Sequence, residues 1–235
     1  MVVGAGGSGL VTAARASVTD HDVLVVKGAE RVGGKTRLST TQICGVDTRF
    51  QDAAGIDDSP DDLVADLLAD DDYDVADSID PNHVRTVAAR SAETLHWFAD
   101  YLDVDFHLHT GPYTQSQHGV PRTHYPRDRD GEIPRHGEPL VEPLVAEARD
   151  NGATIRTGTP IDQLVVYDGT VVGAVSKADP QPDPRRAVAE WIRADAVVLA
   201  SDGYNANHEM RLADFPETAG LKHWGIQGNT GDSVR

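Results

Sequence analysis

The chain opens with MVVGAGGSGL, an apolar start that runs straight into Gly4-Ala5-Gly6-Gly7-Ser8-Gly9. Few local patterns restrict a fold so strongly. Gly4, Gly6 and Gly9 have the spacing G-x-G-x-x-G: the first glycine permits a tight turn, the second admits a pyrophosphate close to the backbone, and the third lets a helix pack against a strand. Amides at the helix N-terminus then face negative charge. The pattern predicts a strand over 2–5, a helix over 8–16 with Leu10 and Val11 facing inward, and a buried parallel strand at DVLVV, 22–26. Such a βαβ start suits a dinucleotide; a glycine turn in an unrelated α/β fold is the alternative. One residue is out of place. Lys27 follows the second strand where a dinucleotide fold normally puts a carboxylate for the ribose.

Further along, 28–60 reads as loop-rich and is followed by two helical segments. The first lies in DDLVADLLADDDYDVADSID, where Leu63, Val64, Leu67 and Leu68 form an apolar stripe on a solvated helix that leads into an acidic loop. The second, 81–102, starts with proline at an early helical position and places Val84, Val87, Ala88, Leu95 and Phe98 on one side. Residues 103–136 carry many His, Pro, Arg and Gly with little periodicity, and read as a long loop of the kind that often faces substrate. A helix over 138–151 precedes a β-hairpin turning at Asp168-Gly169. After the linker ADPQPDPRR, residues 196–200 read as a buried strand ending at Asp202-Gly203.

The formal net charge of −17 repels nucleic acid and anionic membrane surfaces. Lysine occurs only at 27, 35, 177 and 222, so arginine carries most of the positive charge. Two readings of the acid compete: a partner-binding surface, and adaptation to a halophilic, high-salt cytoplasm in which screening relieves self-repulsion. Its spread along the whole chain favours the second, an acidic proteome. There is neither an apolar run of about 18 residues nor a basic stretch before the apolar start, so neither a membrane span nor a secretory signal is expected, and a cytoplasmic location is. The single Cys44 rules out an internal disulfide framework and a CxxC knuckle. His107, His109, His118, His124 and His136 stand among Arg122, Arg127, Arg129 and Arg135 without metal-ligand spacing, and no metal is expected.

Six segments occur in order: VVGAGGSGL, GGKTRLSTTQI, DTRFQDAAGIDDSPDDL, GVPRTH, VVLASDGYNANHEM and GNTGD. As a set they resemble the FAD-binding half of the fumarate reductase and succinate dehydrogenase flavoprotein family, nearest its soluble fumarate reductase, urocanate reductase and 3-ketosteroid dehydrogenase branch. The resemblance implies an α/β, three-layer Rossmann-like FAD-binding fold with part of an inserted capping region, truncated at its C-terminus relative to the family. It divides the chain into an N-terminal part of the FAD-binding domain over 1–102, a loop-rich substrate-side segment over 103–136, and the rest of the domain with the hairpin and the start of the cap over 137–235.

It also implies roles. Gly4, Ala5, Gly6, Gly7, Ser8 and Gly9 would cradle the FAD pyrophosphate, and Gly33, Gly34, Lys35 and Thr36 would form a second loop. Ser39, Thr40, Thr41 and Gln42 would run along the flavin, and Ile161 would meet adenine through its backbone. Ala200, Ser201, Asp202 and Gly203 would pass the pyrophosphate, and Thr230, Gly231 and Asp232 would approach the flavin or its ribityl chain. Arg122 and His124 are the catalytic candidates, lining the substrate cleft; an ordered loop held by arginine hydrogen bonds is the rival reading.

The sequence departs from the family in three ways. Lys27 replaces the ribose glutamate, as if VLVVKG had lost one residue, with Glu30 a distant substitute; a basic residue there otherwise suits a 2′-phosphate. Thr41 and Asp202 replace glycines. The family's substrate-binding His and Arg motifs have no counterpart. The expected function is therefore an FAD-dependent oxidoreductase acting on CH–CH or C=C bonds, present as an N-terminal fragment. The alternatives are a non-catalytic binding module with weak or no FAD, and a half-enzyme completed by a second chain.

Overall fold

The computed structural model describes residues 1–69, 80–111, 119–177, 189–223 and 225–233. Part of the expected acidic loop, His118 and the whole of the proline-rich linker lie outside them. The chain forms two units: Met1–Leu38 with Leu144–Arg235, and Ser39–Pro143.

In the first unit, β1 (Val2–Val3), α1 (Gly7–Ser17) and β2 (Leu24–Val26) form the expected βαβ start. The four-stranded sheet has the order β10-β1-β2-β6, with β6 at Thr154–Arg156 and β10 at Val198–Leu199, and every pairing in it is parallel. Val2, Val25 and Val26 are buried, as continuous apolar strands between covering layers require. Leu10, Ala13 and Ala14 of α1 are buried too, and the small alanines allow close packing. A short helix α2 (Gly34–Leu38) follows β2.

The hairpin is formed by β7 (Ile161–Tyr167) and β8 (Thr170–Ser176), joined through Asp168 (φ 48°) and Gly169 (φ 73°). Positive φ at both turn positions matches the twist of the flanking strands. β9 (Trp191–Arg193) completes this antiparallel sheet. Ile161 and Ile192 pack with Val3 and Val26, which joins the hairpin sheet to the parallel one. One expectation fails here. The strand read as buried over 196–200 is the sheet edge β10, and Val198 and Leu199 are both exposed.

The second unit has β3 (Ile43–Cys44), α3 (Arg49–Ala53), α4 (Pro60–Leu68), α5 (Pro81–Tyr101), β4 (Phe106–Leu108) and β5 (Thr123–Pro126). Ser59 and Asp80 cap α4 and α5 just ahead of a first-position proline, and Thr48 with Gln51 forms a capping box on α3. Ala88, Leu95 and Phe98 of α5 are buried, whereas Val87, about 100° round the helix from Ala88, is 70% exposed and leaves the expected stripe. Leu67 and Leu68 are likewise exposed, so Val64 is what α4 buries. The expected loop over 103–136 contains β4 and β5, and β3-β5-β4 is an antiparallel sheet. The region expected as loops over 28–60 holds α2, β3 and α3. Further along the chain come the helices α6 (Glu138–Asp150) and α7 (His208–Asp214). Among the described residues, no helix is long and apolar enough to cross a membrane.

Candidate functional site: a glycine-walled cleft

The first unit contains a cleft of about 410 Å³ at the N-terminus of α1. Its three fingerprint glycines do different work. A Cβ on Gly4 (φ 111°) would lie 2.2 Å from the Ala200 carbonyl oxygen, and one on Gly9 would lie 2.0 Å from the Gly4 oxygen. Side chains are excluded at both places. A Cβ on Gly6 would meet nothing within 4 Å, so at this position the backbone faces open space. The cap residue Gly6 offers α1 no side-chain hydrogen bond, and the amides of the first turn have no intrahelical acceptor. Gly7 donates its amide to Thr36 Oγ1 at 3.1 Å, and Leu10 donates to the Gly6 carbonyl. Such a turn suits a diphosphate.

The expected residues separate into those that line the cleft and those that support it. Gly4, Gly6, Gly7, Ser8, Lys27, Gly34, Lys35, Thr36, Ala200, Ser201 and Asp202 line it. Ala5 is fully buried, and its carbonyl accepts from Gly33, which bridges Gly6 as one extra parallel residue pair. Gly203, Thr230, Gly231 and Asp232 form a shelf next to the Ala200–Asp202 wall: Gly231 donates to the Gly203 carbonyl at 3.0 Å, and Ser201 donates to Ser233 at 2.6 Å. Thr230 donates to Asp232, whose carboxylate lies 3.7 Å from Lys177. Ile161, partly buried, packs against Val3, Val26 and Ile192. Leu199, Ile226 and Gly228 also line the cleft and were not expected. Leu199 directly precedes an expected residue and Gly228 opens the GNTGD segment, but Ile226 carries no local signal.

Ser39, Thr40, Thr41 and Gln42 belong to the second unit. Thr41 is buried with φ 53°, a left-handed conformation that is a genuine outlier for a β-branched residue. Its hydroxyl has no partner among the described residues. Asp202 likewise has φ 73°. At both places where the resemblance expects glycine, the backbone has the conformation that favours glycine.

Charge in the cleft is concentrated on three side chains. Lys35 Nζ lies 3.0 Å from Asp202 Oδ2 and donates to Oδ1 at 3.3 Å, with the two side chains 42% and 39% exposed. Burial alone would raise the Asp202 pKa, but hydrogen bonds from Lys35 and the Gly203 amide, and the charges of Lys35 and Lys27, outweigh it and hold the carboxyl below its ordinary value. Lys27 continues β2, donating its amide to Arg156 O at 2.8 Å while its carbonyl accepts from Thr159. Glu30 lies against Gly158, its Oε1 2.8 Å from where a Cβ on that glycine would be.

In the second unit, Arg122 and His124 are brought together in the interior. Arg122 is 2% exposed and grips Asp58, 1% exposed, through Nε and Nη2 at 2.7 and 2.6 Å. Its Nη1 donates to Asp66. These carboxylates hold the guanidinium above the usual arginine pKa against the cost of burial. His124 is fully buried, with Nε2 3.0 Å from Thr48 Oγ1 and Nδ1 3.0 Å from the Arg122 carbonyl. Burial lowers its pKa. His107 contacts Arg127 at 3.3 Å, and His136 lies 3.1 Å from Glu138. Among the described residues, no group of three His, Cys, Asp or Glu side chains is placed to hold a metal ion.

Comparison with known proteins agrees with the cleft. The chain is 25% identical over 235 residues to an NADH:fumarate oxidoreductase of Klebsiella pneumoniae (strain 342), covering all of this chain and 23% of that protein. It is 27% identical over 240 residues to fumarate reductase (cytochrome) of Shewanella frigidimarina, covering all of this chain and 38% of the relative. A solved 3-ketosteroid-delta4-(5alpha)-dehydrogenase from Rhodococcus jostii RHA1 superposes with a TM-score of 0.82 at 26% identity, over 99% of this chain and 51% of that one. The chain thus spans about a quarter to a half of the length of these proteins. The model of the FAD binding domain matches residues 1–235, and with the glycine cradle in place at the head of α1, the chain belongs to the FAD binding domain family.

Proposed function

We propose that these 235 residues hold FAD for an oxidoreductase acting on a carbon–carbon single or double bond of a small molecule. The observation that carries this reading is the open backbone of Gly6 at the uncapped start of α1. The amides of the first turn and Lys35 would bind the diphosphate, and Thr36 would hold the loop in place through Gly7. By resemblance, Ser39–Gln42 and Thr230–Asp232 would serve the flavin end and Ile161 the adenine. FAD supplies hydride acceptance and donation when bound. Lys27 offers the ribose hydroxyls no acceptor, which favours weak binding. Losing a hydrogen bond to a charged acceptor typically costs about 1.5–3 kcal/mol.

Arg122 and His124 serve the fold in this reading, since the guanidinium is committed to two carboxylates. Groups that hold the substrate and place a proton would then come from outside these residues, in the same polypeptide or in a separate chain. The acidic charge argues against nucleic acid as a partner and for a cytoplasm of high salt.

Gly6→Val gives a direct test. Its φ of −83° suits any residue and an added Cβ has no neighbour within 4 Å, so folding should be preserved while the cleft is filled. Protein purified in high salt should show flavin absorption bands or quench flavin fluorescence on titration, and the variant should do neither at an unchanged melting temperature. Equal binding by both proteins would remove the cleft from consideration. The high-salt reading is checked separately: melting temperature should rise toward molar salt, where the Debye length falls to about 3 Å. A flat or falling profile would count against it.

A further inference from the structure

Two of the four lysines of a chain with net charge −17 line a single cleft, and one of them is engaged by a carboxylate inside that cleft. That carboxylate stands where the backbone is left-handed, a place that glycine, asparagine or aspartate can occupy. Of these residues, only aspartate brings charge. Asp202 is therefore an anion placed on the wall that faces the α1 N-terminus, in a cleft whose other features attract anions. We propose that Asp202 is a built-in competitor for the diphosphate: it holds Lys35 until an incoming dinucleotide takes the lysine over.

The inference rests on the FAD-binding reading above and adds what sets the affinity. Lys35 donates to Asp202 Oδ1 with Oδ2 3.0 Å away, so a diphosphate drawing on the same point charge competes with the carboxylate for it. Binding thus exchanges one ion pair for another and brings a diphosphate near a carboxylate. The pair is about 40% exposed on each side, so the exchange needs no buried charge to be uncovered. Lys27, on the same cleft, is the second cation available to an anionic ligand.

Titration calorimetry with ADP, FAD and adenosine separates the possibilities, using wild type, Asp202→Asn, Lys35→Ala and the double variant. Asparagine keeps the size and tolerates the left-handed backbone. Asp202→Asn should tighten ADP and FAD about three- to tenfold at low salt, with the gain fading toward 1 M salt. Adenosine, which has no phosphate, should bind wild type and Asp202→Asn equally. Lys35→Ala should cost more affinity in the Asp202→Asn background than in wild type, because only there is the lysine wholly given to the phosphate. Equal ADP affinity of wild type and Asp202→Asn, an equal gain for adenosine, or equal Lys35→Ala losses in both backgrounds would each overturn the proposal. If neither wild type nor Asp202→Asn binds ADP or FAD, the cleft reading fails along with it.

Discussion

The two units each set a cation against carboxylates, to opposite ends. In the second unit the Arg122 guanidinium is buried, bidentate on Asp58, and joined to Asp66 as well. In the first, Lys35 and Asp202 meet through a single ammonium with about 40% of each side chain in solvent. A planar fork locked in the interior fixes geometry, since removing one partner leaves the other charge desolvated. A point charge on a flexible stem at a cleft wall is cheap to redirect. The same pairing of charges is thus a fastening in one unit and an adjustable contact in the other, and burial decides which.

The comparison breaks first at Arg122. Arg122→Ala leaves Asp58 buried with Gln51 as its remaining side-chain partner. The expected loss is about 3–5 kcal/mol in chemical denaturation, the usual cost of stranding one member of a buried pair. A loss below 1 kcal/mol would mean that the carboxylates find water and the fastening is loose. A smaller effect of opposite sign is expected at Thr41, where left-handed backbone costs a non-glycine residue about 1–2 kcal/mol. Thr41→Gly relieves that strain and removes a buried, unpartnered hydroxyl, so a net gain of about 1 kcal/mol is expected in the same assay, the greater freedom of unfolded glycine offsetting part of it. Destabilisation would show that the threonine methyl packs better than its backbone suffers. The smallest change belongs to Lys35→Ala: within about 1 kcal/mol of wild-type stability, fading further in salt. A loss as large as that of Arg122→Ala would erase the distinction between the units.

What could be read from the sequence divides along similar lines. The βαβ start was legible because its signals are local: apolar runs at 2–3 and 24–26, and glycines whose neighbours lie within a few positions. The hairpin was legible for the same reason, since Asp168-Gly169 specifies its own turn. By contrast, β4 and β5 look like loop in the sequence. Strands of three and four residues give alternation too little length to register, and the outward positions carry His107 and Tyr125. The fate of Arg122 was hidden more deeply. Its partners Asp58 and Asp66 lie 64 and 56 positions away, inside a run of acid that looks uniformly solvated. β10 misled in the other direction: Val198 and Leu199 are apolar enough for a central strand, but the order β10-β1-β2-β6 puts them at the edge. In the cleft, the glycines announced themselves, while Ile226 enters through the path of the chain alone.

The pairing of β1 with β10 also has a consequence for biosynthesis. Gly4 is shaped by its closeness to the Ala200 carbonyl, and Ala200 donates its amide to Val3 at 2.8 Å. The fingerprint leaves the ribosome well ahead of the strand that walls it, which pairs with β1 from the far end of these 235 residues. At about 5–20 residues per second, the glycine loop waits roughly 10–40 s for that wall. Through that interval Ser39–Pro143 emerges whole, while the first unit is still half made. A complete cleft thereby has to wait for β10, even though the residues that advertise it are translated well before that strand.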